Sequence, residues 1–221
     1  MNQIANNINE LRSNIPSNVK IIAVSKTKTI PEIRAAMDAG QLLFGESKVQ
    51  ELSQKNEQIT DAQWHLIGHL QTNKVKYIAP FIQMIQSVDS LRVLEEINRQ
   101  AKRCNRVIDC LLQIHIAREE SKFGFSEQET IELLENKALS HLKHVRICGL
   151  MGIATFTDDL EAVRREFRGL ANFFQHIRRE YFADLPSFCE LSMGMSDDYP
   201  IAIEEGSTMV RIGSLIFGER T

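Results

Sequence analysis

Three stretches of this chain carry side chains able to do chemistry, and the first centres on Lys26. In Ala23-Val24-Ser25-Lys26-Thr27-Lys28 an ammonium group directly follows an apolar run. A lysine at the end of an apolar strand is partly desolvated. Its pKa falls and the free amine becomes a nucleophile toward an aldehyde. Taken alone, the same residue reads as well as a lysine snorkelling to solvent. Lys28 lies beyond the run and reads as surface. The second stretch is Ser192-Met193-Gly194-Met195-Ser196-Asp197-Asp198, a glycine-containing turn that enters a helix ending near Gly206. Such a turn offers free backbone N–H groups and the positive end of a helix dipole to an anion. Ser196 adds a hydroxyl donor beside Met195. Alone, Ser196 reads equally as a helix cap, with the two aspartates complementing the dipole. The third stretch is Arg211-Ile212-Gly213-Ser214. Strand alternation puts Arg211 and Gly213 on one face. Gly213 lets the backbone approach an anion closely, and Ser214 supplies an N–H and a hydroxyl. An arginine inside an apolar mouth is costly unless a partner satisfies it, so a ligand acceptor is expected there.

The elements that must position these groups follow from an alternation of short apolar and longer amphipathic runs. The apolar runs, taken as strands, are 19–26, 41–47, 64–68, 84–90, 109–116, 145–154, 188–194 and 209–214. They are rich in Ile, Val and Leu, and several are apolar at consecutive positions, as strands buried on both faces should be. Helical patterns lie between them. Pro31 opens one that Gly40 stops, Ser126 and Glu129 form a capping box, and the longest runs from Asp158 to Phe182 with Gly169 weakening its middle. Eight strands alternating with helices predict an α/β fold, a single (β/α)8 barrel of the TIM type; a doubly wound open sheet is the competing fold. No linker divides the chain, so one domain over 1–221 is expected, ending just after the eighth strand. In a parallel barrel the working groups sit at the C-terminal ends of the strands. Those ends hold Lys26, Glu46 and Ser47, Gly68 and His69, Asp89 and Ser90, and the two turns above. Ser87 and Met151 line the mouth if alternation turns them inward, and are ordinary barrel filling otherwise.

Composition narrows the function classes. The 221 residues are 43% hydrophobic and 25% charged with a formal net charge of −3, and the basic residues are scattered among acidic ones. That argues against nucleic acid or an anionic membrane as partner, because phosphate surfaces demand a clustered basic face. The cysteines form no CxxC; Cys148 and Cys189 sit in apolar runs and read as buried thiols of a reducing compartment. The N-terminus has no basic start followed by an apolar core, and no apolar run approaches the ~20 residues of a membrane span. A cytoplasmic monomer is expected. His65 and His69 have an i, i+4 spacing that would suit a zinc hydrolase on a helix, but their segment reads as strand and no glutamate follows the first. His115 reads as an interior barrel residue.

The segments AVSKTK, FGESKVQEL, WHLIGHLQTNKV, SKFGF, GLMGIATF and LSMGMSDD with GSTMVRIGSLIFGER together closely resemble the pyridoxal-phosphate homeostasis protein family, whose fold is like the N-terminal barrel of alanine racemase. The resemblance covers about Ile21 to Arg220. It implies pyridoxal 5′-phosphate (PLP) as cofactor, bound covalently as a Schiff base (an internal aldimine) on Lys26. By the same resemblance Ser196, Gly213 and Ser214 bind phosphate, with Met195 in that turn, and Arg211 faces the pyridine nitrogen. The family commonly has Asn where this chain has Ser47, which puts a contact from Ser47 in doubt. The implied role is PLP and amino-acid homeostasis without established catalysis, the partners being PLP and then PLP-dependent apoenzymes or amino acids.

An arginine at the ring nitrogen is always charged and cannot accept a proton, so the ring would be a weak electron sink. A racemase, the alternative reading within fold-type III PLP enzymes, also needs a second acid/base on the opposite face. Tyr77 and Tyr181 fall in helical patterns and Tyr199 follows the anion turn, so none is placed for that task.

Overall fold

The computed structural model describes residues 3–118 and 123–219. Its centre is a closed barrel of eight parallel strands: β1 (Lys20–Val24), β2 (Leu43–Glu46), β3 (Gln63–Leu66), β4 (Met84–Val88), β5 (Ile108–Ile114), β6 (Val145–Gly152), β7 (Glu190–Met195) and β8 (Met209–Ile212). Each strand pairs with the next, and β8 returns to β1 with Lys20 opposite Met209 and Ala23 opposite Ile212. That last pairing rules out the open sheet. Every expected strand boundary lies within two residues of the observed one.

The consecutive apolar positions are explained by burial on both faces of the wall. Ile22, Met84, Leu111, Cys148, Met151 and Met209 form a cluster inside the barrel. Their sequence neighbours Ala23, Ile85, Cys110, Leu112, Leu150 and Val210 belong to the larger cluster between strands and helices. The helices are α1 (Gln3–Asn14), α2 (Ile30–Asp38), α3 (Val49–Gln58), α4 (Val75–Ile78), α5 (Leu91–Arg103), α6 (Glu127–Glu135), α7 (Leu160–Tyr181), α8 (Tyr199–Glu204) and α9 (Ser214–Phe217). The expected capping box of Ser126 and Glu129 starts α6, and a second one, Thr29 with Glu32, starts α2 ahead of Pro31. Each satisfies N–H groups that the first turn leaves without acceptors.

Several expectations are corrected. The four-residue α9 after β8 is unexpected, and Asn7 of α1 donates to its Ile216 carbonyl at 2.9 Å. Cys189 is exposed rather than buried, because it precedes β7 by one residue, whereas Cys148 is buried as expected. His115 lies just beyond β5, half-buried at the rim, and the interior histidine is His65. Among the described residues no helix is long and apolar enough to cross a membrane.

Candidate functional site

The strand ends converge on a cleft of about 420 Å³ at the C-terminal mouth. Lys26, Ser47, Met195, Ser196, Arg211, Gly213 and Ser214 all line it. Lys28 lines it too, which corrects its reading as surface. Residue 28 lies in the loop beyond β1, where its N–H returns to the Ser25 carbonyl at 2.9 Å and Thr27 between them takes φ +67°, a left-handed conformation that β-branched residues rarely adopt. The Lys28 side chain is 15% exposed, and its Nζ donates to the Phe217 carbonyl at 3.3 Å.

On the β7–β8 side the two anion-binding turns meet. The Gly213 N–H donates to Ser196 Oγ at 3.2 Å, which leaves the serine's own hydrogen for another acceptor. Ser196 does not cap α8; that position belongs to Asp198, whose carboxylate accepts from Met195 N–H. Burial pushes the Asp198 carboxyl above the usual range, against the opposing pull of that N–H and of Arg211. Gly213 has φ −115°, and an added Cβ would meet only Val24 at ordinary distances of 3.5 Å and more. Nothing in the chain itself demands a glycine here.

Arg211 is 3% exposed and points into the barrel. Its Nη1 donates to Ser192 Oγ at 2.7 Å and its Nη2 to the Gly152 carbonyl at 2.8 Å. Ser192 Oγ in turn donates to Gln86 Oε1 at 2.7 Å, and Gln86 Nε2 lies 2.8 Å from His65 Nδ1. A neutral polar chain therefore runs down the barrel interior beneath the guanidinium. Burial lowers the Arg211 pKa to about 10, with Asp198 opposing, so the group stays cationic at neutral pH. Burial, helped by Lys20, drives His65 down to about 3, and it is neutral.

Ser87 and Met151 fall outside the cleft lining. A register shift between Ile85 and Val88 interrupts the alternation of β4, and the Ser87 hydroxyl donates to the Gly68 carbonyl at 2.6 Å. Met151 is fully buried in the interior cluster. His65 and His69 do not meet on a shared ligand: His69, at the rim, has its Nδ1 2.7 Å from Asp89 Oδ2 and stacks on Phe123. Among the described residues no group of three metal-ligating side chains comes together. The tyrosines stay away from the cleft, with Tyr77 exposed on α4, Tyr181 ending α7 on Glu135, and Tyr199 opening α8.

What the sequence reading missed lies behind the cleft wall. Lys55 of α3, 6% exposed, donates from Nζ to the Ser25 carbonyl at 2.7 Å, Glu46 Oε1 at 2.8 Å and Glu51 Oε1 at 2.6 Å. Ser25 Oγ donates to the same Glu46 oxygen at 2.6 Å. Burial raises the Glu46 pKa, while Lys55 and Ser25 pull it down.

The family described as "Alanine racemase, N-terminal domain" matches residues 1–221. A pyridoxal phosphate homeostasis protein of Aquifex aeolicus is 41% identical over 203 residues, covering 91% of this chain and 87% of its own. PipY of Synechococcus elongatus, solved with PLP bound, superposes with a TM-score of 0.88 at 35% identity, covering 97% of this chain and all of that one. An alanine racemase of Clostridium difficile shares the fold at 16% identity, with a TM-score of 0.72 over 56% of its length.

Proposed function

This chain belongs to the alanine racemase N-terminal domain family, among the pyridoxal phosphate homeostasis proteins, and on that footing we propose that it binds pyridoxal 5′-phosphate as a Schiff base on Lys26 and serves PLP homeostasis. The observation that carries the reading is the convergence of Lys26, Arg211, Ser196, Gly213 and Ser214 on one cleft. The donor set fits the cofactor. The Ser196 hydroxyl, which the Gly213 N–H holds in place, and the Ser214 amide and hydroxyl suit a phosphate, with the Lys28 ammonium adding charge at the same mouth. When bound, pyridoxal phosphate supplies an electrophilic aldehyde on an electron-withdrawing ring.

The chain's own residues favour holding over turnover. Arg211 remains a cation with no acceptor capacity, and its guanidinium is fixed by Ser192 and Gly152, so it orients a ring acceptor without taking a proton from it. None of the tyrosines lines the cleft, so none is placed as the second acid/base of a racemase. Met195 and Ser214 are exposed at the rim, which leaves the mouth accessible to water and to exchange. In this reading the protein is a single-domain cytoplasmic monomer, and PLP-dependent apoenzymes or free amino acids are the recipients.

The test is a visible spectrum. Titration with pyridoxal phosphate should raise an imine absorbance band that borohydride traps on the peptide containing Lys26. Lys26→Ala should abolish it, and an unchanged band in that variant refutes the assignment. Incubating the loaded protein with L-amino acids in deuterated water separates the readings further, since rapid Cα exchange would favour an enzyme.

A further inference from the structure

The residue meant to hold the cofactor is followed by a strained joint. Thr27, with φ +67°, occupies a region in which a β-branched residue is unfavourable, so the surrounding structure must impose it. Groups on both sides of Lys26 impose it. The carbonyl just before Lys26, that of Ser25, accepts from Lys55 Nζ at 2.7 Å. The N–H just after Lys26, that of Thr27, donates to Glu51 Oε1 at 2.6 Å. The same Glu51 oxygen accepts from Lys55 at 2.6 Å, so one ion pair grips the backbone on both sides of residue 26. Glu46 fixes the assembly from beneath, bonded to both Lys55 Nζ and Ser25 Oγ.

We propose that Lys55, Glu51 and Glu46 form a clamp behind the barrel wall whose task is to position Lys26, so that α3 sets where the reactive amine stands. The proposal rests on the reading of Lys26 as the cofactor lysine. Two features argue against simple packing. Lys55 is a buried cation, and burying an ion pair is weak ground for stability because desolvation offsets its attraction. Glu46 is fully buried, and among the described residues its Oε2 has no hydrogen-bond partner, an arrangement costly to keep for the fold alone. Lys55, Glu51 and Glu46 do not line the cleft. They are positioning residues that act through the backbone of Ser25 and Thr27.

The experiment compares Lys55→Met, Glu51→Ala and Glu51→Gln with Arg106→Ala. Arg106 holds the Ala79 and Ile82 carbonyls, far from the cleft, and serves as a control for stability loss. Two readouts are taken. One is the rate at which loaded protein gives up pyridoxal phosphate to an excess of a trapping amine. The other, free of the cofactor, is the pH profile of Lys26 acylation in the unloaded protein, followed by mass spectrometry. Release should quicken about tenfold in Lys55→Met and Glu51→Ala, and less in Glu51→Gln, whose amide oxygen still accepts from Thr27. The acylation profile should shift in the same order. Arg106→Ala should move neither.

If the clamp variants match the control in both readouts, the clamp is structural only and the proposal is overturned, while Lys26 as cofactor lysine stands. If wild-type protein shows no Lys26-dependent band, that reading fails separately, and the acylation profile still decides the clamp. Should Lys55→Met not fold, Glu51→Ala carries the test, because Glu51 is half-exposed on α3.

Discussion

Two cations of the cleft, Lys26 and Arg211, are supported in opposite ways. Lys26 is backed from outside the barrel wall by a buried ionic cluster that grips its neighbouring backbone. Arg211 is backed from inside the barrel by a neutral chain of hydroxyl, amide and imidazole that touches the guanidinium itself. The difference matches what each is asked to do. The charges near Lys26 hold its backbone neighbours in place, Ser25 through Lys55 and Thr27 through Glu51. A guanidinium that must stay charged needs only fixed acceptors, and a neutral chain supplies them without drawing it away from a ligand.

The largest expected effect breaks the charged side. Lys55→Met removes one partner of a buried ion pair and should lower unfolding free energy by about 3–5 kcal/mol in urea denaturation. A loss below about 1 kcal/mol would mean that water already screens the cluster. Ser192→Ala interrupts the neutral side, leaving Gln86 Oε1 and an Arg211 N–H without their partner. It should cost about 1–3 kcal/mol by the same measurement.

A pH series separates the two sides without mutation. His65 has its pKa lowered from 6.5 to about 3, so above pH 6.5 both folded and unfolded forms are neutral and stability is intact. Below it the unfolded chain takes a proton that the folded one refuses, and stability falls by up to about 1.4 kcal/mol per pH unit from this group. The Glu51 carboxyl, with Lys55 and the Thr27 N–H holding it low, adds stability above its ordinary range of about 4.5 that is lost only as pH falls below that value. Acid sensitivity between pH 6.5 and 5 should therefore trace to the neutral side, and the His65 ring signals in NMR should stay at their neutral positions throughout. The smallest effect provides a baseline remote from both. Gly169 sits in α7 with open space where a Cβ would go, so Gly169→Ala should stabilise by about 1 kcal/mol and raise Tm by about 2–4 °C, with the cleft unaltered.

Much of the mouth could be read from residue order because strand alternation is local information. Ile22 inside and Ala23 outside place residues 24 and 26 on the inner face, and Arg211 and Gly213 follow the same count on β8. Where the ladder slips, the reading slips with it, as at Ser87 beside the irregularity in β4. Lys28 escaped because it lies in the loop beyond β1, whose course residue types alone do not announce. The Lys55 cluster escaped for a different reason. In SKVQELSQKNEQ the charges look like the wet face of an amphipathic helix, and only the packing of α3 against β2 and the start of the loop after β1 reveals that one of them is dry. Burial of a charge is a tertiary property that composition and period do not encode.

Gly68, just past β3, sets a further condition on the mouth. A methyl group there would fall 2.4 Å from the carbonyl oxygen of Ser47 and 2.8 Å from its Cα, so the two backbones already touch. Any larger residue at 68 would force one of the two backbones to shift. The aperture on that flank is thus gauged by a side chain that does not exist, and Gly68→Ala should disturb Ser47 while leaving Ser196, Arg211 and Ser214 across the cleft where they were.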